Sequence, residues 1–346
     1  MTLRREDSTR GEYRAPGPKR QSTDTESRSG QPTRARKLPD QRHNRHAVSY
    51  TFTLKIQDLQ SSSAVIDALA RGAEANRRSA CRTGSIDRIE APGRLVATGD
   101  LHDNPVHFDR LVTVAGLDGQ ATDPAHLTLH ELIHGDRLIN GMDFSYRVLT
   151  RTADLKARHP EHVHVLLGNH ELSQIAGAGI VKDGVRVVEA FNQGVDYVFG
   201  GDADDVRDAI TDFVRSMPLA LRCVCPRGDI LCVHSVPPAA IMQRFDPSVL
   251  TRDLRDDDYE PRRGSAHLMV WGRGYDAELL EDLTERWGVY LFILGHEKAE
   301  DGARFIPPNA LVLNSDHERG VYLPIDLSDP PRPEESIRYV ARISSP

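Results

Sequence analysis

Residues 163–172 read VHVLLGNHEL, an aliphatic and β-branched run with the length and composition of a buried strand, followed at once by a turn. Gly168 is where the chain can swing off the strand, through φ values that other residues avoid. Just beyond it, Asn169, His170 and Glu171 set an amide oxygen, an imidazole and a carboxylate side by side where a sheet would meet solvent. That is the usual place for ligands and catalysts on open α/β sheets.

The construction recurs. RLVAT (94–98) runs into Gly99, Asp100, Leu101 and His102; residues 127–133 run into Gly135 and Asp136; residues 230–233 end at His234; and residues 289–294 end at Gly295 and His296. Each of these apolar runs delivers a metal-competent side chain just past its carboxyl end. If they lie side by side in one sheet or in two facing sheets, Asp100, His102, Asp136, Asn169, His234 and His296 converge on one edge. Oxygen and imidazole donors in that mixture suit a pair of divalent transition ions such as manganese, iron or zinc.

The 346 residues hold enough apolar material for one large domain or two small ones. No apolar run reaches membrane-spanning length, and the start, MTLRREDSTR, lacks the apolar centre of a secretory signal, so a cytoplasmic location is expected. The cysteines Cys81, Cys223, Cys225 and Cys232 form no C-x-x-C pair, so buried reduced thiols are expected rather than a disulfide framework or a thiolate zinc site. Residues 1–46 carry 12 Lys and Arg against 6 Asp and Glu, so of the net −7 the remainder of the chain holds −13. An acidic body of that kind is a poor nucleic-acid binder. The sequence leaves the oligomeric state open.

Residues 1–46 are rich in Arg, Ser, Thr, Pro, Gly and Gln and are expected to be a disordered basic tail, since they bury too little to offset ordering entropy. Residues 47–346 then form a single domain, with an N-terminal addition over 47–90 and a core over 94–326. The alternation of Val48, Tyr50, Phe52, Leu54 and Ile56 predicts a strand, and Ser61 to Ser63 supply N-caps for a helix running to about Arg78. Further helices are expected over 107–115, 142–158 and 203–216. Strands are expected over 310–313 and 321–325, and a weakly patterned insertion or lid over 177–201.

Taken together, GDLHDN (99–104), HGDRLINGMD (134–143), LLGNHE (166–171), VHS (233–235) and LGHE (294–297) resemble the signature blocks of the calcineurin-like metallophosphoesterases, nearest the phosphoprotein phosphatase branch and its bacterial and phage relatives. The resemblance implies an α/β fold, a two-sheet sandwich flanked by helices, holding a dinuclear site. Asp100, His102 and Asp136 would hold one ion and Asp136, Asn169, His234 and His296 the other, with Asp136 bridging. It further implies a hydroxide shared by the two ions as nucleophile and His170 as general acid on the leaving oxygen. The substrate implied is a phosphorylated protein or a small phosphoester. In the second block the branch's usual Asp and Arg fall on Ile139 and Asn140, and the arginine before Gly-Asn-His-Glu is Leu167. Substrate grip therefore falls to Arg273 in VWGRGY (270–275), with Asn104 and Asn140 as neutral hydrogen-bonding groups.

Two other functions remain compatible with these residues: a hydrolase of nucleotides such as diadenosine polyphosphates, and a non-catalytic phosphate-binding scaffold that has kept its metals. The segment HELIH (130–134) also fits the H-E-x-x-H pattern of zinc proteases. That pattern needs a helix, whereas here the pentapeptide runs straight into Gly135 and Asp136, so His134 is expected to support the neighbouring ligand instead.

Overall fold

Apolar runs too short for core helices and too continuous for half-buried strands suit sheets covered on both faces. In the computed structural model two sheets face one another, with helices packed on their other sides. It describes residues 58–177, 180–182 and 184–344, all of them within one compact unit. The basic tail and the alternating segment 48–56 lie outside the described residues.

In chain order the elements are α1 (Ser62–Arg78), β1 (Arg82–Thr83), β2 (Ile86–Glu90), β3 (Arg94–Thr98), α2 (Pro105–Val114), β4 (His126–Leu129), α3 (Tyr146–Arg158), β5 (Val163–Val165) and α4 (Asn169–Ala176). A hairpin of β6 (Val181–Lys182) and β7 (Val185–Arg186) leads into α5 (Val187–Phe199), α6 (Ala203–Ser216), β8 (Ala220–Val224) and β9 (Asp229–Val233). Then come α7 (Ser265–Val270), α8 (Ala277–Trp287), β10 (Val289–Leu294), β11 (Ala303–Ile306), β12 (Ala310–Leu313), β13 (Val321–Asp326) and β14 (Ala341–Arg342). One sheet runs β1-β2-β8-β9-β10-β12-β11 and the other β14-β13-β3-β4-β5. Neighbours β9 and β10 are parallel, as are β3, β4 and β5, so within each sheet these carboxyl ends open toward the same edge.

Alternation within the strands divides the core. Leu291 and Ile293 of β10 join Leu95, Ala97, Ile230, Cys232 and Leu323 in a cluster of strand and loop residues from both sheets, with none from a helix. Val289, Phe292 and Leu294 face the cluster that also holds the helical side chains. All four cysteines are free, three of them buried and Cys81 half-buried. Helix α1 begins where Ser61 caps it and crosses α3 so closely that a Cβ at Gly72 would lie 2.7 Å from that of Ala153.

The segment 177–201 is not weakly structured. Its described residues form the hairpin and the whole of α5, with Val187, Phe191, Val195 and Phe199 buried along one side. Residues 130–133 also depart from the expected strand, because β4 stops at Leu129.

Buried Asp87 on β2 joins one sheet to the other: it accepts from Arg82 Nε at 2.8 Å and from His164 Nδ1, on β5, at 2.7 Å. Burial opposes its charge, but His164 and Arg82 outweigh burial and hold the carboxyl well below the usual range. His164 is itself driven down by burial and donates as a neutral imidazole. Asp87→Asn is expected to cost about 3 kcal/mol, because it takes the carboxylate from a mostly enclosed Arg82 guanidinium that keeps only the Ser216 carbonyl as acceptor; chemical denaturation measures the loss. A depressed carboxyl stabilises above its unfolded pKa and stops doing so as acid titrates the folded state. The wild-type advantage should therefore be complete above about pH 4 and shrink below it.

Candidate metal centre

The cluster lies on the seam between the two sheets. Asp100 and His102 follow β3, Glu131 follows β4, Asn169 and His170 open α4 behind β5, and His234 and His296 follow β9 and β10. The His234 ring sits at the middle: its Nδ1 is 3.4 Å from Asp100 Oδ1, and its Nε2 is 2.8 Å from Asn169 Oδ1, 3.1 Å from His296 Nδ1 and 3.6 Å from Glu131 Oε2. The His296 backbone N–H donates to both oxygens of Asp100, at 3.0 and 2.9 Å. His102 Nδ1 donates to the Ile133 carbonyl at 3.1 Å, leaving Nε2 as a bare lone pair 3.9 Å from Glu131 Oε1.

Five of the six residues read from the sequence as ligands thus come together, and Asp136 does not join them. Its side chain is 77% exposed and pairs with Lys182 Nζ at 2.9 Å; despite partial burial, that ammonium holds its carboxyl below the usual range. The place between the two ligand groups is taken by Glu131, 2% exposed. Because β4 ends four residues sooner than the apolar run suggests, the pair that follows the strand is His130-Glu131 rather than Gly135-Asp136. The HELIH pentapeptide is a loop rather than a helix, which removes the geometry that a zinc protease would need.

Local backbone supports the convergence. His102, Glu131 and His296 sit at φ 39°, 50° and 64°, a left-handed conformation uncommon outside glycine and kept where surrounding contacts demand it. Glu171 Oε1 accepts from Leu132 N at 2.6 Å and Ile133 N at 3.3 Å, and Glu131 Oε2 accepts from His170 N at 3.2 Å. Gly168 is needed for space rather than for an unusual φ: its backbone is extended, at φ −98° and ψ 168°, and a Cβ there would lie 2.3 Å from Glu131 Oε2. Likewise a Cβ on Gly295 would lie 2.2 Å from Asp100 Oδ1.

The donor chemistry fits cations. Among the described residues three groups bring their ligand atoms within 4.8 Å of one another: Asp100, His130 and His234; His102, Glu131 and His170; and Glu131, His234 and His296. Glu131 belongs to two of them. Burial, with Asp100 and Glu171 charged nearby, pushes its carboxyl well above the usual range, as expected of a buried acid lacking a positive partner. Burial drives His130 down to about 4 and His296 down to about 2, which leaves neutral imidazoles with lone pairs to give. His130 donates through Nε2 to the Thr98 carbonyl at 2.9 Å, so its Nδ1 is left as an acceptor, 3.1 Å from His234 Nδ1 and 3.5 Å from Asp100 Oδ1. Among the residues of these groups, Glu131 and His130 are the two that the sequence reading did not assign to the site. The short strand HLTL just before them, ending in a polar pair, was the available signal.

His170 Nδ1 lies 3.0 Å from His134 Nδ1, while His134 Nε2 lies 3.0 Å from Gln174 Oε1. Gln174 in turn donates to Asn192 Oδ1 at 2.7 Å. An amide oxygen can only accept, so His134 donates through Nε2 and accepts from His170 Nδ1–H. His170 Nε2 is then left facing the cavity, 3.6 Å from Glu131 Oε1.

The floor of a cavity of about 850 Å³ is formed by this cluster, and Arg273, Lys182 and Trp271 stand on its walls. Arg273 spends one donor on the His296 carbonyl at 2.9 Å. Asn104 is committed elsewhere: it caps α2 through the His107 N–H and donates to the Asp316 carbonyl at 2.7 Å. Asn140 is exposed, on a turn closed by paired Ile139 and Met142. Neither asparagine lines the cavity.

A two-sheet α/β sandwich with carboxylates, an amide and imidazoles gathered on its seam defines a metal-dependent hydrolase of phosphoesters, and the comparisons agree. Residues 93–299 match the calcineurin-like phosphoesterase family; the chain belongs to it and is a metallophosphatase. Its fold is similar to that of a protein serine/threonine phosphatase from Saccharomyces cerevisiae with similarity to human phosphatase PP5, at TM-score 0.57 and 15% identity over 77% of this chain and 82% of that one. It is also similar to a cold-active protein-tyrosine phosphatase of a psychrophilic Shewanella species, at TM-score 0.51 and 15% identity over 73% and 79%. No curated protein sequence matches the chain. Among the described residues no helix is long and apolar enough to cross a membrane.

Proposed function

We propose that the protein is a two-metal phosphomonoesterase of the phosphoprotein phosphatase type, acting on a phosphorylated protein or a small phosphoester. The observation that carries this reading is Glu131, a carboxylate shared between two groups of donors on the floor of an open cavity. Asp100 and His102 would hold one divalent ion and Asn169, His234 and His296 the other, with Glu131 common to both. When bound, such a pair, of manganese, iron or zinc, supplies Lewis acidity to phosphoryl oxygens and lowers the pKa of water toward neutrality.

The rest falls to the chain itself. His170, oriented by His134 and Gln174, presents Nε2 to the cavity; protonated there from solvent while Nδ1–H stays on His134, the imidazolium gives its Nε2 proton to the departing oxygen, which leaves as an alcohol, and returns to the neutral form. A cavity of about 850 Å³ matches the pockets that bury an organic ligand. Ile180, Val181 and Trp271 offer apolar wall to such a leaving group, while Arg273 stands ready for anionic oxygens. Fold neighbours that act on phosphoserine, phosphothreonine or phosphotyrosine proteins support the same choice of substrate.

Titrating manganese into purified protein, with p-nitrophenyl phosphate, its bis ester, a phosphopeptide and diadenosine tetraphosphate offered in parallel, tests the reading. Turnover of the monoester and the phosphopeptide is expected, in step with bound metal. Selective cleavage of the dinucleotide would replace the reading with a nucleotide hydrolase, and inactivity on all four would leave a phosphate-binding scaffold.

A further inference from the structure

A phosphoryl group brings close to two negative charges into the cavity, yet the arginines expected to meet it are absent: Leu167 precedes Gly168, Asn140 takes the other place and lies off the cavity wall, and counted from Glu131 rather than Asp136 that place is Gly135. Among the cationic side chains on that wall, Arg273 spends one donor on the His296 carbonyl, Arg319 is 52% exposed in its pair with Asp301, and Lys298 is exposed. Lys182 differs. The β6–β7 hairpin carries it to the cavity, where its side chain keeps only 28% exposure, and its charge is felt at His102, His134 and His170. Its partner, Asp136, is mostly exposed, and an ion pair with one member so open to water is weakly held and readily exchanged.

We propose that Lys182 grips the phosphoryl group of the substrate, and that Asp136 is its counter-ion until the substrate arrives. The proposal rests on the phosphoesterase reading of the site and deepens it: the charge lost with the arginines is supplied by an inserted hairpin rather than by the ligand-bearing loops. A phosphate oxygen carries more charge than one carboxylate oxygen and can accept from Lys182 while its other oxygens face the donor cluster. Exchange of Asp136 for phosphate therefore keeps the ammonium paired throughout. The requirement is for a point charge on a flexible stem, which a lysine meets as well as an arginine does.

The test is calorimetric binding of inorganic phosphate to the full-length, manganese-loaded protein, with metal content, Tm and steady-state kinetics measured in parallel. Lys182→Met is expected to weaken phosphate about tenfold or more, the scale of a lost charge-assisted hydrogen bond, and to raise KM for p-nitrophenyl phosphate by a similar factor. Metal content and Tm should stay at wild-type values. Lys182→Arg should hold phosphate within about threefold of wild type, since the charge is kept. Asp136→Asn should bind it as tightly as wild type or tighter. Lys182→Met that binds phosphate within twofold of wild type, or that loses its metals, would overturn the proposal while leaving the phosphoesterase reading intact. Asp136→Asn with tenfold weaker phosphate binding would overturn the counter-ion assignment. A wild-type protein that neither binds phosphate nor turns over any ester would overturn the phosphoesterase reading and this proposal together.

Discussion

Glu131→Gln is expected to lose bound metal and phosphatase activity together, whereas Asp136→Asn keeps its full complement of metal. The two residues compete for one role: each is an acid just beyond the same apolar run, and the sequence favours the one behind a glycine. Geometry favours the other. Glu131 is buried, a member of both donor groups, and steadied by the His170 N–H, while Asp136 stands exposed on the cavity wall, paired with Lys182. Glutamine matches glutamate in size but is neutral, and can turn an N–H₂ toward positions that a cation needs. Replacing groups that only support a ligand costs about 10- to 100-fold in metal affinity, so removing a shared ligand should cost roughly a hundredfold or more. Elemental analysis of protein dialysed against trace manganese reads the outcome directly. Metal-free Asp136→Asn beside fully loaded Glu131→Gln would reverse the assignment.

His170→Asn should act differently, leaving metal content near wild type and slowing turnover by roughly a hundredfold or more, the range for a positioned general acid. The His134–Gln174–Asn192 chain fixes which nitrogen of His170 carries the inward lone pair or proton; asparagine cannot hold a transferable proton at that place. The deficit should be largest for alkyl phosphates and smallest for p-nitrophenyl phosphate, whose leaving group departs without help. Rate ratios across such a series, with metal analysis alongside, check the assignment. Equal losses for every leaving group would remove the proton-donor role, and loss of metal would make His170 a ligand, consistent with its place beside His102 and Glu131.

Much of this was legible beforehand, for physical reasons. Residues 94–98, 203–216 and 289–294 form the elements read from them, because strands sealed on both faces and a helix with one apolar face leave strong periodic marks. Asp100, His102, Asn169, His234 and His296 converge because parallel neighbours must end at one edge. Two features misled. Leu132 and Ile133 are buried in a loop rather than in a strand, and apolarity alone does not distinguish those states; this is why the apolar run was read on to Asp136, past Glu131. Residues 177–201 read as weakly patterned, yet Gly194 lies inside α5, where a Cβ would come 1.9 Å from the Asp143 carbonyl. That glycine records a close approach rather than a break.

The donors at this centre are shared between the sheets, with Asp100, His102, Glu131 and Asn169 on one and His234 and His296 on the other. Any ion held there rivets two slabs that otherwise cohere mainly through apolar contact. Prising the slabs apart would require tearing out the rivet, so resistance to heat and to mechanical shear should rise with the supply of free cation.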